Sequence, residues 1–278
     1  MLMLILALLQ ISIQTATTGE FIHKGVSLKG GVTITIPLTD YTDVVALQGN
    51  LATAFPANDV AIRRLEQAGE QSGIIIETDI DGTDQQAFNS FMAALRENTP
   101  TDFGKEYAVE IIGSSLGASF FRETIFTLML AFIFTGIVVF IYFRSPIPSL
   151  AVILAAFSDI VVTIAVLNIF GVKIGTAGIA ALLMLIGYSI DTDILLTARV
   201  LKRTEGTVMH RVLGAAKTGL TMTFTTFIAV LIAYLFSDNE IIRQIMLIIM
   251  IGLAVDIFAT WIQNVAILRW YMEKRGLA

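Results

Sequence analysis

No cysteine occurs in the 278 residues. That excludes disulfides, thiolate metal sites and cysteine nucleophiles. Histidine is almost as scarce: His23 and His210 are the only two, too few for an imidazole-built metal site. No metal and no cofactor are implied. Charged residues make up only 15% of the chain and the net charge is -5. No basic stripe stands out, so nucleic acid is not an expected partner. Short-period repeats and low-complexity segments are missing too. What the chain has instead is apolar surface. Hydrophobic residues reach 55% and the mean hydropathy is +0.78, which fits a polytopic membrane protein and not an ordinary soluble domain.

The apolar residues are not spread evenly. Met1 to Ile13 is apolar apart from Gln10 and has no Lys or Arg before it. It is short for a spanning helix, which needs roughly 20 residues. Residues 1–14 are read as a first transmembrane helix, short or truncated, in preference to a signal peptide, which would open on a positive segment. Residues 15–118 have the composition of a soluble domain. Val32–Pro37 is strand-like, and Tyr41–Phe55 has helical spacing with Asp40 as candidate N-cap. Asp59–Ala68 and Ser72–Ile80 read as strands, and Asp81-Gly82 then breaks the chain. Thr83–Asn98 is a helix with Phe88, Phe91, Met92 and Leu95 on one side, and Lys105–Ile112 is a last strand. The order is that of a ferredoxin-like (βαββαβ) unit. Gly113-Ser114-Ser115-Leu116-Gly117 is read as a flexible joint.

Five apolar blocks follow within 119–278: Phe120–Phe143, Ile147–Phe170, Gly175–Leu195, Leu220–Phe236 and Ile241–Leu268. With the N-terminal block they make six spans. Arg144, then Arg199, Lys202, Arg203, Arg211 and Lys217, then Arg269, Lys274 and Arg275 fall at one side if the spans alternate. By the positive-inside rule that side is the cytoplasm, with a cytoplasmic loop at about 200–216. Both termini are then cytoplasmic, and the soluble domain, Asp238 and Glu240 lie outside. Lys173 dissents from this count. The fold expected is α+β: a six-helix membrane bundle with one external domain between helices 1 and 2.

Four carboxylates fall inside the spans: Asp159, Asp191, Asp193 and Asp256. An ionised carboxylate at bilayer depth costs several kcal/mol and commonly marks an ion or proton path. The plainer alternative is a structural carboxylate bonded to Ser, Thr or Tyr of a neighbouring helix. Residues two apart on a helix are about 200° apart around its axis, so Asp191 and Asp193 cannot face one neighbour. Arg199 and Lys217 are candidate cationic partners, or they snorkel to the interface. Arg122-Glu123 reads as a boundary pair. Tyr188, Ser189, Thr192, Thr225 and Thr226 are candidates for a polar path, with Thr221 and Thr223 beside them. Gly175, Gly178, Ala181 and Gly187 are candidates for close helix packing.

Three stretches together resemble the SecF branch of the SecD/SecF protein-export family, within the resistance-nodulation-division superfamily. They are Gly25-Val26-Ser27-Leu28-Lys29-Gly30-Gly31, the run Ile112–Phe120, and Leu185-Ile186-Gly187-Tyr188-Ser189-Ile190 followed by acidic residues and Arg199. Bacterial members carry Asn-Asp-Thr where this chain reads Asp191-Thr192-Asp193, so the family's aspartate falls at Thr192 with acids on both sides. Asp159 matches an acidic position of the third span. Lys217 is the nearest match to a basic residue of the fifth. Asp256 matches no bacterial position, which points to an archaeal-type member. The resemblance implies a non-enzymatic auxiliary subunit of the Sec translocase. Its implied partners are a SecD-like subunit, the SecYEG channel, the translocating unfolded polypeptide and the lipid bilayer. The implied work couples proton or ion flow to external-domain movement. Two rivals are a small-molecule or lipid transporter of the same superfamily and an intramembrane aspartyl protease. The first would duplicate the six-helix unit. The second would carry Tyr-Asp and Gly-x-Gly-Asp, and neither occurs.

Overall fold

The computed structural model describes residues 1–37, 42–67, 70–99, 107–203, 206–237 and 239–276. Four strands form one sheet: β1 (Gly31–Pro37), β2 (Val60–Gln67), β3 (Glu70–Thr78) and β4 (Ala108–Ile112). The order across the sheet is β2-β3-β1-β4, and each neighbouring pair is antiparallel. Alternation decides which side chains go inward. Val32, Ile34 and Ile36 of β1 and Ile74 and Ile76 of β3 are fully buried, with Ile34 opposite Ile76. Thr33, Thr35, Ile75 and Glu77 point to the other face.

Two helices cover the apolar face. These are α3 (Val44–Ala54) and α4 (Gln85–Asn98), after the short helices α1 (Leu2–Thr18) and α2 (Val26–Lys29). Leu47, Leu51, Phe91, Met92 and Leu95 close the core, with the Phe55 and Phe91 rings 5.2 Å apart. Burying each such side chain contributes about 1.5–3 kcal/mol. Asp84 caps α4 through the Gln86 and Ala87 amides. Asp43 caps α3 through the Val45 and Ala46 amides. The cap expected at Asp40 lies outside the described residues, as does Lys105. Gly31 has φ 137°, and a Cβ there would lie 2.1 Å from the Thr78 carbonyl oxygen, so only glycine fits.

The bundle consists of α5 (Ser114–Phe143), α6 (Pro146–Ile169), α7 (Thr176–Lys202), α8 (Val208–Phe236) and α9 (Glu240–Phe258). A π-helical segment, Ala259–Asn264, joins α9 to α10 (Val265–Lys274). Five of these runs, α9 to α10 counted as one, are long and apolar enough to cross a membrane. At about 1.5 Å per residue, even α6 exceeds the roughly 30 Å of a hydrocarbon core. α1 is shorter and packs on α6, with Leu4 and Ala7 against Val161, Val162 and Ala165.

The structure corrects two expectations about local order. Residues 114–117 are not a flexible joint but the first turn of α5. Gly117 sits where a Cβ would lie 2.6 Å from the Gly30 amide nitrogen, and that close approach pins the helix to the strap before β1. Residues 208–216 belong to α8 and not to a loop. Residues 208–216 contain good helix formers in Met209, Arg211, Leu213, Ala215 and Ala216, whereas Ser114, Ser115 and Gly117 are not, and packing against the strap holds that turn.

The strap at residues 21–30 ties the sheet domain to the bundle. The Ile174 amide donates to the His23 carbonyl at 2.7 Å, and the Gly25 amide to the Ile174 carbonyl at 2.9 Å. The Asn168 amide donates to the Phe21 carbonyl. Lys173, the charge that dissented from the loop count, forms a 2.6 Å ion pair with Asp59 of the sheet domain.

Candidate functional site

Three of the four intramembrane carboxylates meet inside the bundle. Asp159 lies near the middle of α6, Asp193 in the second half of α7, and Asp256 two residues before the end of α9. All three are essentially inaccessible to solvent. Spacing explains why each helix turns a polar stripe inward: Asp159 and Thr163, Asp193 and Thr197, and Asp256, Thr260 and Asn264 follow at intervals of four. The last stripe runs through the π-helical segment, a local departure that recurs at functional sites.

Hydroxyls and amides link the carboxyls. Ser189 Oγ donates to Asp159 Oδ2. Thr192 Oγ1 donates to the Ser189 carbonyl at 2.8 Å and faces the two Asp256 oxygens at 3.2 and 3.3 Å. Asn264 Nδ2 donates to Asp193 Oδ1 at 2.7 Å. Thr260 Oγ1 lies 3.0 Å from Asp193 Oδ1 and 2.9 Å from Asp256 Oδ1. A hydroxyl has one proton to give, so it serves one carboxyl fully at any moment. The second contact is made good when that carboxyl carries a proton itself. The Asp159 carboxyl also lies within electrostatic reach of those of Asp256 and Asp193.

No cation is paired with these groups among the described residues. Several buried atoms have no partner there either: Asp159 Oδ1, Asp193 Oδ2, Asn264 Oδ1 and the Thr163 and Thr197 hydroxyls. Unpaired buried polar atoms are costly. Their concentration around three carboxyls sets this part of the bundle apart from its apolar remainder. No group of three or more acidic or histidine residues among those described is arranged to hold a metal ion.

The remaining expected residues fall elsewhere. Asp191 is exposed on α7 and outside the cluster. Tyr188 bonds Thr226 across to α8 at 2.5 Å. Arg199 donates to the Gly214 carbonyl and, at 2.9 Å, to Thr218, not to an aspartate. Lys217 is exposed, as are Arg122 and Glu123. The threonines of α8 mostly satisfy their own helix: Thr221, Thr223 and Thr225 all donate to backbone carbonyls of the preceding turn. Gly178 is a true contact, since a Cβ there would lie 2.7 Å from Ile174 and 3.0 Å from Ile248. Gly187 is not, because it faces open space. Close approach of α7 and α9 rests instead on Gly252, where a Cβ would meet Leu185 at 2.3 Å. Sequence reasoning missed Thr260, Asn264 and Thr163. Their four-residue spacing from Asp256 and Asp159 was the available signal.

Comparison with known proteins gives a consistent picture. Residues 92–274 match the family described as protein export membrane protein SecD/SecF, C-terminal. The protein-export membrane protein SecF of Methanolacinia petrolearia is 34% identical over 277 residues, covering 99% of this chain and 92% of that protein. The SecF of Pyrococcus furiosus is 38% identical over 259 residues, covering 93% and 84%. Among solved structures, the SecDF of Thermus thermophilus, described as a translocon-associated membrane protein, shares the fold. Its TM-score is 0.73 at 17% identity, over 98% of this chain and 37% of that longer one.

Proposed function

This chain belongs to the SecD/SecF family of protein-export membrane proteins, and from that premise we propose that it is a SecF-type auxiliary subunit of the Sec translocase. It assists export of unfolded polypeptide across the cytoplasmic membrane beside a SecD-like subunit and a SecYEG-type channel, and catalyses no covalent reaction. In this reading α1 is a sixth span, both termini are cytoplasmic, and the sheet domain is an external ferredoxin-like unit. The strand order, the antiparallel pairing and the Arg and Lys at the opposite end of the bundle support that arrangement.

The carrying observation is the burial together of Asp159, Asp193 and Asp256, the last two sharing Thr260 and the first held by Ser189, with no cation paired to them among the described residues. We assign this cluster, not Asp191, the handling of a proton or ion. Gain or loss of one proton changes which carboxyl Thr260 serves and so shifts the packing of α7 against α9. The driving force is about 2.3 kcal/mol per charge per 100 mV. Asp159→Asn, Asp193→Asn, Asp256→Asn and Asp191→Asn test it in two assays: export of a secreted reporter in cells, and proton uptake by liposomes under an imposed potential. The first three should lose uptake and slow late export, while Asp191→Asn should retain both. Full uptake and export by all three cluster variants would refute the assignment.

A further inference from the structure

Between the sheet domain and the adjoining end of the bundle lies a cleft of about 590 Å³. The sheet domain supplies Arg63 and Arg64 of β2 and Val45 of α3 to its wall. The bundle supplies Lys173 of the α6–α7 loop, Tyr234 of α8 and Arg243 of α9. Among the described residues, four of the lining side chains are thus cationic and Glu77 is the one carboxylate. Arg63 is paired with Glu77 and Lys173 with Asp59. Arg243 has no carboxylate partner among the described residues. It is half-buried, with its guanidinium 5.3 Å from the centroid of the Tyr234 ring. A guanidinium so held presents a planar fork of donors, the geometry that suits a phosphate.

The surroundings restrict what would bring that phosphate. Leu247 lines the cleft. Val45 is 78% exposed, and at the same end of α8 Leu235 and Phe236 are 65% and 81% exposed. Tyr234, Leu235 and Phe236 sit at the end of an apolar span, where lipid meets water. A soluble anion would use the cations and leave the apolar side chains uncovered. A lipid uses both. This also accounts for Lys173 and Arg243, cations at the end of the bundle that is otherwise poor in them. We infer that this cleft binds the headgroup phosphate of an anionic membrane lipid from the leaflet beside the sheet domain. Arg243 and Arg64 hold the phosphate, and the chains lie along Val45 and Leu247. Such a lipid would join the sheet domain to the bundle, apart from any role of the carboxyl cluster.

Native mass spectrometry of the full chain in neutral detergent tests this with four probes: phosphatidylglycerol, a neutral glycolipid of equal chain length, inorganic phosphate and a soluble acidic peptide. Phosphatidylglycerol should bind well ahead of the glycolipid. Arg243→Gln should weaken it about tenfold, the loss expected for one charge-assisted contact. Arg243→Lys should restore part of the binding, and Arg269→Gln at the other end of the bundle should change nothing. Because Arg243→Gln can also perturb folding, Arg64→Gln on the exposed edge of β2 serves as an independent variant and should weaken binding in the same direction. The inference is overturned if glycolipid binds equally or if both variants bind like the parent chain. Full displacement by millimolar inorganic phosphate, or tighter binding of the acidic peptide, would overturn it as well.

Discussion

In the sheet domain the fully buried positions are Val32, Ile34, Ile36, Leu51, Ile74, Ile76 and Leu95, all aliphatic, whereas in the bundle they include Asp159, Asp193, Thr197, Thr260 and Asn264. The apolar surface is distributed the other way round. Only 6% of the apolar window of α5 is buried, against 72% for α6. The two regions answer to different solvents. Water drives aliphatic side chains of the sheet domain together. Lipid offers helices no such drive, so close packing and hydrogen bonds bring them together. A carboxyl is tolerated in the bundle core because neighbouring helices supply hydroxyls and amides.

Four measurements break or sharpen this contrast. Phe91→Ala should cost the sheet domain about 3–5 kcal/mol. Hydrogen exchange on the detergent-solubilised chain should place the loss in β1, β3 and α4 and leave α6 and α7 protected. Opening of both regions together would mean that they are not separately stabilised. Thr260→Val removes the hydroxyl shared by Asp193 and Asp256 and should cost only about 0.6–2 kcal/mol, read as a small shift in thermal unfolding. A loss as large as that of Phe91→Ala would show that polar contacts hold the bundle as firmly as apolar ones hold the sheet.

The third measurement concerns acid. Burial opposes the charged form of Asp79, but the Lys29 ammonium and the Asp59 and Asn58 donors outweigh it, so this carboxyl titrates below its ordinary 3.8. Its hydrogen bond in turn holds Lys29 above its ordinary 10.5. A lowered folded value contributes stability that is complete above 3.8 and lost as pH falls through the folded value. A raised one contributes stability that is complete below 10.5 and lost as pH climbs through the folded value. This contact should therefore contribute evenly between about pH 5 and 9, and Asp79→Asn should remove its part of the acid-side loss. For a partly exposed pair the whole effect is below about 1 kcal/mol. The smallest change belongs to Asp191→Asn, expected within about 0.5 kcal/mol because the side chain is exposed.

Much of this was legible from residue order. The period-two run of β1 and the apolar side of α4 follow from periodicity, and the long blocks of α5 to α8 from continuous hydrophobicity; both signals are local. The acids were recognisable by depth alone. Which of them cooperate was not, because Asp191 and Asp193 look alike in sequence and differ by the rotation of α7. Gly187 looked like a packing residue and Gly252 did not. The partner helix decides that, and no spacing within one helix reveals it. The polar stripe from Asp256 through Asn264 was within reach of the four-residue rule. The π-helical segment that carries its end was not.

Residue order by itself determined the apolar spans, the alternating strands and the presence of carboxylates at membrane depth, since each rests on the hydrophobicity of a contiguous stretch. Tertiary structure alone decided that Asp159, Asp193 and Asp256 share one buried network while Asp191 stands outside it. It likewise decided that Lys173 and Arg243 converge with Arg63 and Arg64. Those are facts about distance between segments far apart in the chain, and they are set by how helices rotate and pack against one another.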